Sequence, residues 1–183
     1  MSLPKEQYRK LLLSDYVKSD TVKDIITSIM AINADDDEKE KDYKNWERKP
    51  IQLFINSFGG SVCDGLALFD VIKQSKTPVH TISIGSSMSM GLWIYLAGHK
   101  RFVGEHATLM FHDISNGLDD KTEGIRLELE EMKRLQNMYI NEVIANSLVK
   151  RETLEDYITR KAQWYIPAEE AIRLKLADGY YKY

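Results

Sequence analysis

The sequence predicts an α/β protein with crossover units and a largely parallel sheet. Two observations support this prediction: short β-type runs alternate with helical stretches, and glycines or a proline mark their ends. The β-type runs are Ile51–Ser57, "TPVHTISIG" and "HATLMFH". A chain of 183 residues is most simply one domain, so we expect residues 1–183 to form a single unit.

The helical stretches follow the same alternation. Apolar spacing predicts a helix over residues 17–32, with Asp20 or Thr21 as its cap. The charged segment 35–49 is then expected to be a solvated loop or helix end, too charged for the core. "SVCDGLALFDVIKQS" predicts a second helix, and "SSMSMGLWIYLAG" a third one with Gly98 as its C-cap.

Residues 121–150 are almost wholly helix-forming. A continuous helix of that length spans about 45 Å, whereas a domain of this size is about 30 Å across. We expect such a helix to project and to bury its apolar stripe on another subunit. The alternative is a helix that breaks near Asn146 and folds back on its own domain. The final stretch, "WYIPAEEAIRLKLADGYY", predicts a strand, a helix started by Pro167 and a tail.

Composition excludes several classes of protein. The net charge of −3 gives no electrostatic case for nucleic-acid binding. The longest apolar run, residues 90–97, is far shorter than the ~20 residues that span a bilayer, and no signal-peptide core follows the N-terminus. Cys63 is the only cysteine, which fits a reducing cytoplasm. The histidines show no metal-ligand spacing, so no metal is expected.

The stretch "SIGSSMSMG" contains four serines, one of which is a candidate nucleophile. We expect Ser83 inside a strand, and Ser86 and Ser87 in a turn that caps the next helix. Ser89 is expected about one turn into that helix, after a sharp corner, where the helix dipole and the next N–H favour a developing oxyanion. Without further context, a capping or packing role remains the simpler interpretation of Ser89.

A catalytic serine needs oxyanion donors and a base. The turn "SFGGS" lets the backbone of Gly59 and Gly60 approach a substrate closely, although a plain tight turn explains the glycines equally well. His112 ends an apolar strand, at the sheet edge where ligands usually bind. The other histidines are better explained by structural positions. His80 is expected in the core part of a strand, His99 at a helix end and His106 in a loop.

Four motifs together resemble a known family. "INSFGGSV", "SMSMG", "LMFHD" and "PAEEAIRLKLADG" occur in the order found in ClpP, the proteolytic subunit of the Clp protease, and in its phage-type and divergent relatives. The resemblance covers residues 22–179. It implies a crotonase-like spiral of strand–helix units with a protruding handle helix, over about residues 115–160.

The resemblance also implies roles for individual residues. It makes Ser89 the nucleophile and His112 the general base. The oxyanion donors fall on the backbone of Gly59, Gly60 and Met90. The implied reaction is hydrolysis of peptide bonds in unfolded proteins or peptides, through an acyl-enzyme.

The third member of the triad departs from the family. Gln163 occupies the place where the family usually has an aspartate. Glutamine can orient an imidazole but cannot stabilise the imidazolium by charge, and losing that charge can cost up to ~10⁴ in turnover. Asp113 should point to the opposite sheet face, and Asp156 reaches the site only if the preceding helix bends.

Partners are also implied by the resemblance. It implies a homo-oligomer of stacked rings that segment 121–150 zips together, and an AAA+ unfoldase that uses the ATP, with no cofactor in this subunit. Three departures weaken the ATPase expectation: a short N-terminal segment, "ISNGLDDKTEG" in place of a glycine-rich stretch, and the long charged segment 35–49.

Two other functions and a second candidate nucleophile stay open on the sequence. Gln163 suggests a catalytically weak or inactive assembly subunit. The two glycine turns would also suit a crotonase-fold enzyme acting on acyl-CoA. Cys63, expected on the first turn of a helix, is a second candidate nucleophile, but no motif gives it a base.

Overall fold

A computed structural model describes residues 7–115, 117 and 121–182 of the chain. Seven strands in this part of the chain form one sheet, in the order β1-β2-β3-β4-β7, while β5 pairs with both β3 and β6. The strands are β1 (Lys10–Leu13), β2 (Ile51–Ser57), β3 (Val79–Met88), β4 (Lys100–Val103), β5 (Thr108–Phe111), β6 (Trp164–Pro167) and β7 (Gly179–Tyr180). Only β6 pairs antiparallel among them, so the predicted α/β class and largely parallel sheet are confirmed.

Six α-helices connect or cover these strands in the described residues. They are α1 (Ser19–Asp42), α2 (Val62–Gln74), α3 (Met90–Leu96), α4 (Thr122–Ala145), α5 (Arg151–Thr159) and α6 (Ala168–Arg173). None of them is both long and apolar enough to cross a membrane.

The central strand β3 changes partner part-way along its length. Its first half pairs with β4 through residues 80–83, and its last three residues pair with β5, ending at Met88 opposite Met110. Gly85, with φ of 77°, lies between the two halves. Positive φ is a conformation that glycine adopts at little cost, so the strand can turn here and curve the sheet. This turn brings the end of β3 beside the end of β5.

The strand β3 is longer than the sequence predicted. Ser86 and Ser87 lie within it, not in a capping turn, and Ser87 pairs with Leu109 of β5. The Ser87 hydroxyl is buried and donates to the Ser83 hydroxyl at 2.8 Å. Burying two hydroxyls is tolerated because they satisfy each other.

Helix α3 is buried on all sides, from Met90 to Leu96. The sequence predicted an apolar stripe closed by Gly98, but the helix ends at Leu96 with Ala97 as its C-cap. A helix that is apolar all round belongs in the core of the domain, and its N-terminus is therefore held firmly.

Helix α1 corrects two further predictions. Its N-cap is Lys18, and Thr21 takes the third helical position, where its hydroxyl accepts from the Lys18 N–H at 3.1 Å. The helix runs on to Asp42 and buries Asp36 completely, although segment 35–49 was predicted to be too charged for the core. Asp36 is accommodated because Arg9 donates to both its carboxylate oxygens, at 2.6 and 3.0 Å.

Strands β1, β4 and β7 were not predicted: β1 and β4 are short and mix charged with apolar residues, and β7 has only two residues. At the other end of the chain, β6 includes Pro167, and this proline is the N-cap of α6 and not its first residue.

The helical segment 121–150 is broken near Asn146, as the alternative sequence interpretation predicted. Helix α4 ends at Ala145 with Asn146 as its C-cap, and α5 begins at Arg151, so the continuous helix to residue 150 was wrong. Its last turns bury Tyr139, Ile140 and Val143 against the domain. Its first turns leave apolar side chains exposed, including 56 % of Leu127.

Candidate active site

Ser89 occupies a strained corner between β3 and α3. It is the N-cap of α3, with φ of 53° and ψ of −122°, and not one turn inside the helix as predicted. A non-glycine residue with positive φ costs about 1–3 kcal/mol and persists only where its surroundings hold it. The Ser89 N–H donates to the Met110 carbonyl at 2.9 Å, which ties the corner to β5. Strain of this kind is common at functional sites.

The glycine turn packs directly against this corner. An ideal Cβ on Gly59, whose φ is 99°, would lie 2.7 Å from the Ser89 Cβ and 3.0 Å from the Met90 nitrogen. A Cβ on Gly60 would collide with the Val17 carbonyl. Both glycines are therefore required by close backbone approach, which a plain turn does not demand.

Two N–H groups in this corner have no hydrogen-bond partner among the described residues: those of Gly60 and Met90. The Gly59 N–H instead donates to the Ser57 hydroxyl at 3.2 Å. Met90 is the first residue of α3, where backbone N–H groups are left free by the helix geometry. The arrangement can stabilise an oxyanion, with Gly60 a better donor than Gly59.

His112 directly follows β5, as the sequence predicted. Its ring is partly buried, and burial lowers the pKa of His112 below the ordinary 6.5, with the Asp113 carboxylate acting in the opposite direction. The imidazole is therefore neutral near pH 7, as a general base must be. No hydrogen bond joins His112 to Ser89 in the described part of the chain; such contacts often tighten only when a substrate binds.

Gln163 lies beside His112 by strand register but is engaged elsewhere. The pairing of strands β5 and β6 ends at Phe111 opposite Trp164, and His112 and Gln163 are the residues that adjoin this last pair. The Gln163 side chain is exposed, and its Oε1 accepts a hydrogen bond from the Tyr165 hydroxyl. It therefore does not orient the imidazole in this structure.

Neither aspartate considered from the sequence replaces the missing acid by a direct contact. Asp156, on α5, is paired with Arg160 at 2.5 Å. Asp113 is exposed and makes no hydrogen bond to the imidazole of its neighbour His112.

Two residues of α4 contact the site and were missed by the sequence reasoning. The Tyr139 hydroxyl donates to the Ser89 carbonyl at 3.2 Å. One turn earlier, Gln136 Oε1 accepts from the Ile114 N–H at 2.7 Å. A tyrosine beside apolar positions of a helix predicts only core packing, so no local signal could have assigned these contacts.

Comparison with known proteins shows the family of this chain. The Clp protease family matches residues 5–182, which is nearly the whole chain. The chain belongs to the Clp protease family. This family membership confirms the predicted resemblance to ClpP and its crotonase-like α/β class, and it supports a serine peptidase function.

The similar curated proteins are Clp subunits. "ATP-dependent Clp protease proteolytic subunit 1" of Prochlorococcus marinus subsp. pastoris is 30 % identical over 172 residues, covering 93 % of this chain and 82 % of the relative. "ATP-dependent Clp protease proteolytic subunit 2" of Synechococcus sp. strain CC9605 is 33 % identical over 178 residues, with the same coverage. The roles of Ser89, His112 and the oxyanion residues in this Clp family member remain predictions from motif position and geometry.

A cleft of about 460 Å³ opens beside the glycine turn of this Clp family member. Its walls include Gly60 and Ser61 on one side, Ile114 and Ser115 on another, and side chains of α4 such as Met132. The single cysteine, Cys63, is exposed in the first turn of α2 and lines the same cleft.

Proposed function

We propose that this chain is a serine peptidase subunit that hydrolyses peptide bonds of unfolded proteins or peptides. The observation that carries the proposal is the corner at Ser89: a serine with φ of 53° packed against a glycine turn, with two unpaired N–H groups beside it. Membership of the Clp protease family supports the same reaction class.

The proposed reaction proceeds through an acyl-enzyme. Ser89 Oγ attacks the scissile carbonyl carbon while neutral His112 accepts the hydroxyl proton. The N–H groups of Gly60 and Met90 stabilise the oxyanion. The C–N bond then breaks, and protonated His112 gives its proton to the leaving amine. Water loses a proton to His112 and attacks the ester carbonyl carbon. The bond between that carbon and Ser89 Oγ then breaks, His112 gives its proton to Oγ, and the new carboxyl end leaves.

We also propose that the subunit works inside a ring-shaped chamber. Family membership supports an oligomeric chamber and Clp ATPase partners in general. The exposed apolar side chains on the first turns of α4, among them Ile125, Leu127 and Leu129, favour α4 as the contact between stacked rings. ATP would be used by an AAA+ unfoldase partner, and this subunit would need no cofactor. The lone cysteine supports a cytoplasmic location.

A second candidate function is an assembly subunit with weak or no activity. It is favoured by Gln163, which replaces the usual acid and binds Tyr165 in place of His112. Such a subunit would build the ring while a more active paralogue supplied turnover.

Fluorophosphonate labelling of the purified, assembled protein distinguishes the two candidates. Peptide mapping should find the adduct on Ser89, and Ser89→Ala should abolish it. Sedimentation in the same buffer reports assembly, and a fluorogenic peptide reports turnover. Absence of the adduct on an assembled ring would overturn the peptidase proposal and favour the assembly subunit.

A further inference from the structure

Two residues of α4 contact the backbone at Ser89 and the backbone that follows His112. We propose that Gln136 and Tyr139 are positioning residues, which hold His112 and Ser89 in place from the same face of this helix. They lie three residues apart, so their side chains project in nearly the same direction. The inference rests on the proposed peptidase function and adds to it the groups that fix its geometry.

Tyr139 holds the corner at Ser89. It is 2 % exposed, and its hydroxyl donates to the Ser89 carbonyl at 3.2 Å. Its ring stacks on Trp93 of α3 with centroids 4.9 Å apart and packs against Phe111 of β5 at 5.0 Å. One side chain thus touches the nucleophile corner, the helix behind it and the strand that leads to His112.

The corner at Ser89 needs such support because its backbone conformation is unfavourable. The Ser89 carbonyl already accepts from the N–H groups of Leu92 and Trp93, at 3.0 and 3.2 Å, within α3. Tyr139 adds a donor from outside that helix. A rotation of the Ser89 peptide, which would relax φ and move Oγ, would have to break this contact.

Gln136 holds the segment that follows His112. Strand β5 ends at Phe111, so the backbone beyond it has left the sheet ladder. Two residues after His112, the Ile114 N–H donates to Gln136 Oε1 at 2.7 Å. The histidine therefore lies between two fixed points: the sheet at Phe111 and α4 at Ile114.

The other end of the Gln136 amide supports this assignment. Its Nε2 is buried and has no hydrogen-bond partner among the described residues. Burying an unpaired donor is unfavourable, so packing alone is better served by an apolar side chain of the same length. The acceptor atom Oε1 is what distinguishes glutamine from methionine at this position.

The test compares variants that remove one hydrogen-bonding group with variants that keep it. Tyr139→Phe removes the hydroxyl and keeps the ring. Gln136→Met removes the acceptor, while Gln136→Glu keeps an acceptor oxygen at the same distance. Asn137→Ala, on the exposed side of the same helix, and Tyr43→Phe, on the surface, are the matched controls. All are made in the full chain, and assembly is checked by sedimentation.

The readouts are the rate of fluorophosphonate labelling at Ser89, and kcat and KM for a fluorogenic peptide. We expect Tyr139→Phe and Gln136→Met each to lower labelling and kcat about fivefold, the equivalent of one ordinary hydrogen bond, with KM unchanged. Gln136→Glu should recover most of the rate. The controls should label like the original protein.

The outcomes separate this inference from the proposed function. If the original protein does not label at Ser89, the peptidase proposal fails and the positioning role fails with it. If the original protein labels and the variants label equally fast, only the positioning role is overturned. A loss that Gln136→Glu does not recover, or one that accompanies dissociation of the assembly, also overturns it.

Discussion

Gly59 lies so close to Ser89 that the smallest possible side chain on the glycine would meet the serine. An ideal Cβ on Gly59 would be 2.7 Å from the Ser89 Cβ and 2.9 Å from the Met88 carbonyl oxygen. Two segments about thirty residues apart in the chain thus share one corner. The nucleophile candidate and the oxyanion turn are consequently positioned by each other.

Gly59→Ala should disrupt this corner. The added methyl group meets backbone atoms that cannot move aside easily, and φ of 99° is unfavourable for alanine. We expect labelling at Ser89 to fall at least tenfold and the free energy of unfolding to drop by about 2 kcal/mol. Gly179→Ala is the control, because a Cβ there has nothing within 4 Å. Normal labelling of Gly59→Ala would show that the corner is not as tight as described.

Ser89 should trade stability for activity. A φ of 53° at position 89 destabilises the folded chain when the residue is serine, and does so much less when it is glycine. We expect Ser89→Gly and Ser89→Ala both to lose labelling, with Ser89→Gly more stable than Ser89→Ala by about 1 kcal/mol. Urea unfolding of the two variants under one condition measures this difference. A more stable Ser89→Ala would argue against strain at the corner.

The pH dependence of labelling should report His112. Burial lowers the pKa of its imidazole below 6.5, although Asp113 acts the other way. Only the neutral imidazole accepts a proton, so labelling is fully present above the pKa and is lost as the pH falls through it. We expect the midpoint of the acid limb below pH 6.5, measured as labelling rate against pH. A midpoint above 6.5 would contradict the burial argument.

Substitutions of Gln163 should show that its side chain contributes little to the rate of labelling at Ser89. Its Oε1 accepts from Tyr165, so Gln163→Ala should leave labelling within about twofold of the original rate, less than one hydrogen bond to the base is worth. Gln163→Asp adds a carboxylate next to the last strand pair, Phe111 with Trp164, which His112 also adjoins. We expect it to raise labelling about tenfold and to move the acid limb to higher pH, since a nearby negative charge favours the imidazolium. A large loss in Gln163→Ala would instead make the glutamine a working triad member.

We expect the buried charge of Asp36 to contribute more to stability than the more exposed charge of Asp35 on the same helix. Asp36 is fully buried, and Arg9 donates to both its oxygens. Asp36→Ala leaves the Arg9 guanidinium buried without its partner, which should cost about 3 kcal/mol in urea unfolding. Asp35→Ala, which removes a more exposed ion pair with Lys39, should cost less than about 1 kcal/mol. Equal costs would show that burial of the Arg9–Asp36 pair is unimportant.

The pH dependence of stability follows from the same aspartate. Burial alone would raise the pKa of Asp36, but the hydrogen bonds from Arg9 and Thr77 outweigh it and hold the pKa below its ordinary value of 3.8. Because the folded-state pKa is the lower one, this stabilisation is present above pH 3.8 and is lost as the pH falls through the folded-state value.

The fold class could be predicted from the sequence because periodicity is a local property. Short windows of the chain show that the strand at residues 51–57 is followed by a helix. They show the same for the strand "TPVHTISIG" and the helix after it. The same reasoning failed where burial is set by distant residues. Nothing near Asp36 indicates that Arg9 will neutralise it, and nothing near Ser87 indicates that β5 will cover it.

The sequence by itself determined the kind of chemistry. The serine, the histidine and the paired glycines stand in motifs whose order already implied a ClpP-like peptidase. Only the tertiary structure decided how these groups meet: the strain at Ser89, the engagement of the Gly59 N–H by Ser57, the engagement of Gln163 by Tyr165, and the contacts of Gln136 and Tyr139. Motifs follow the order of residues along the chain, whereas these contacts join segments up to fifty residues apart, which only the packing of the folded chain brings together.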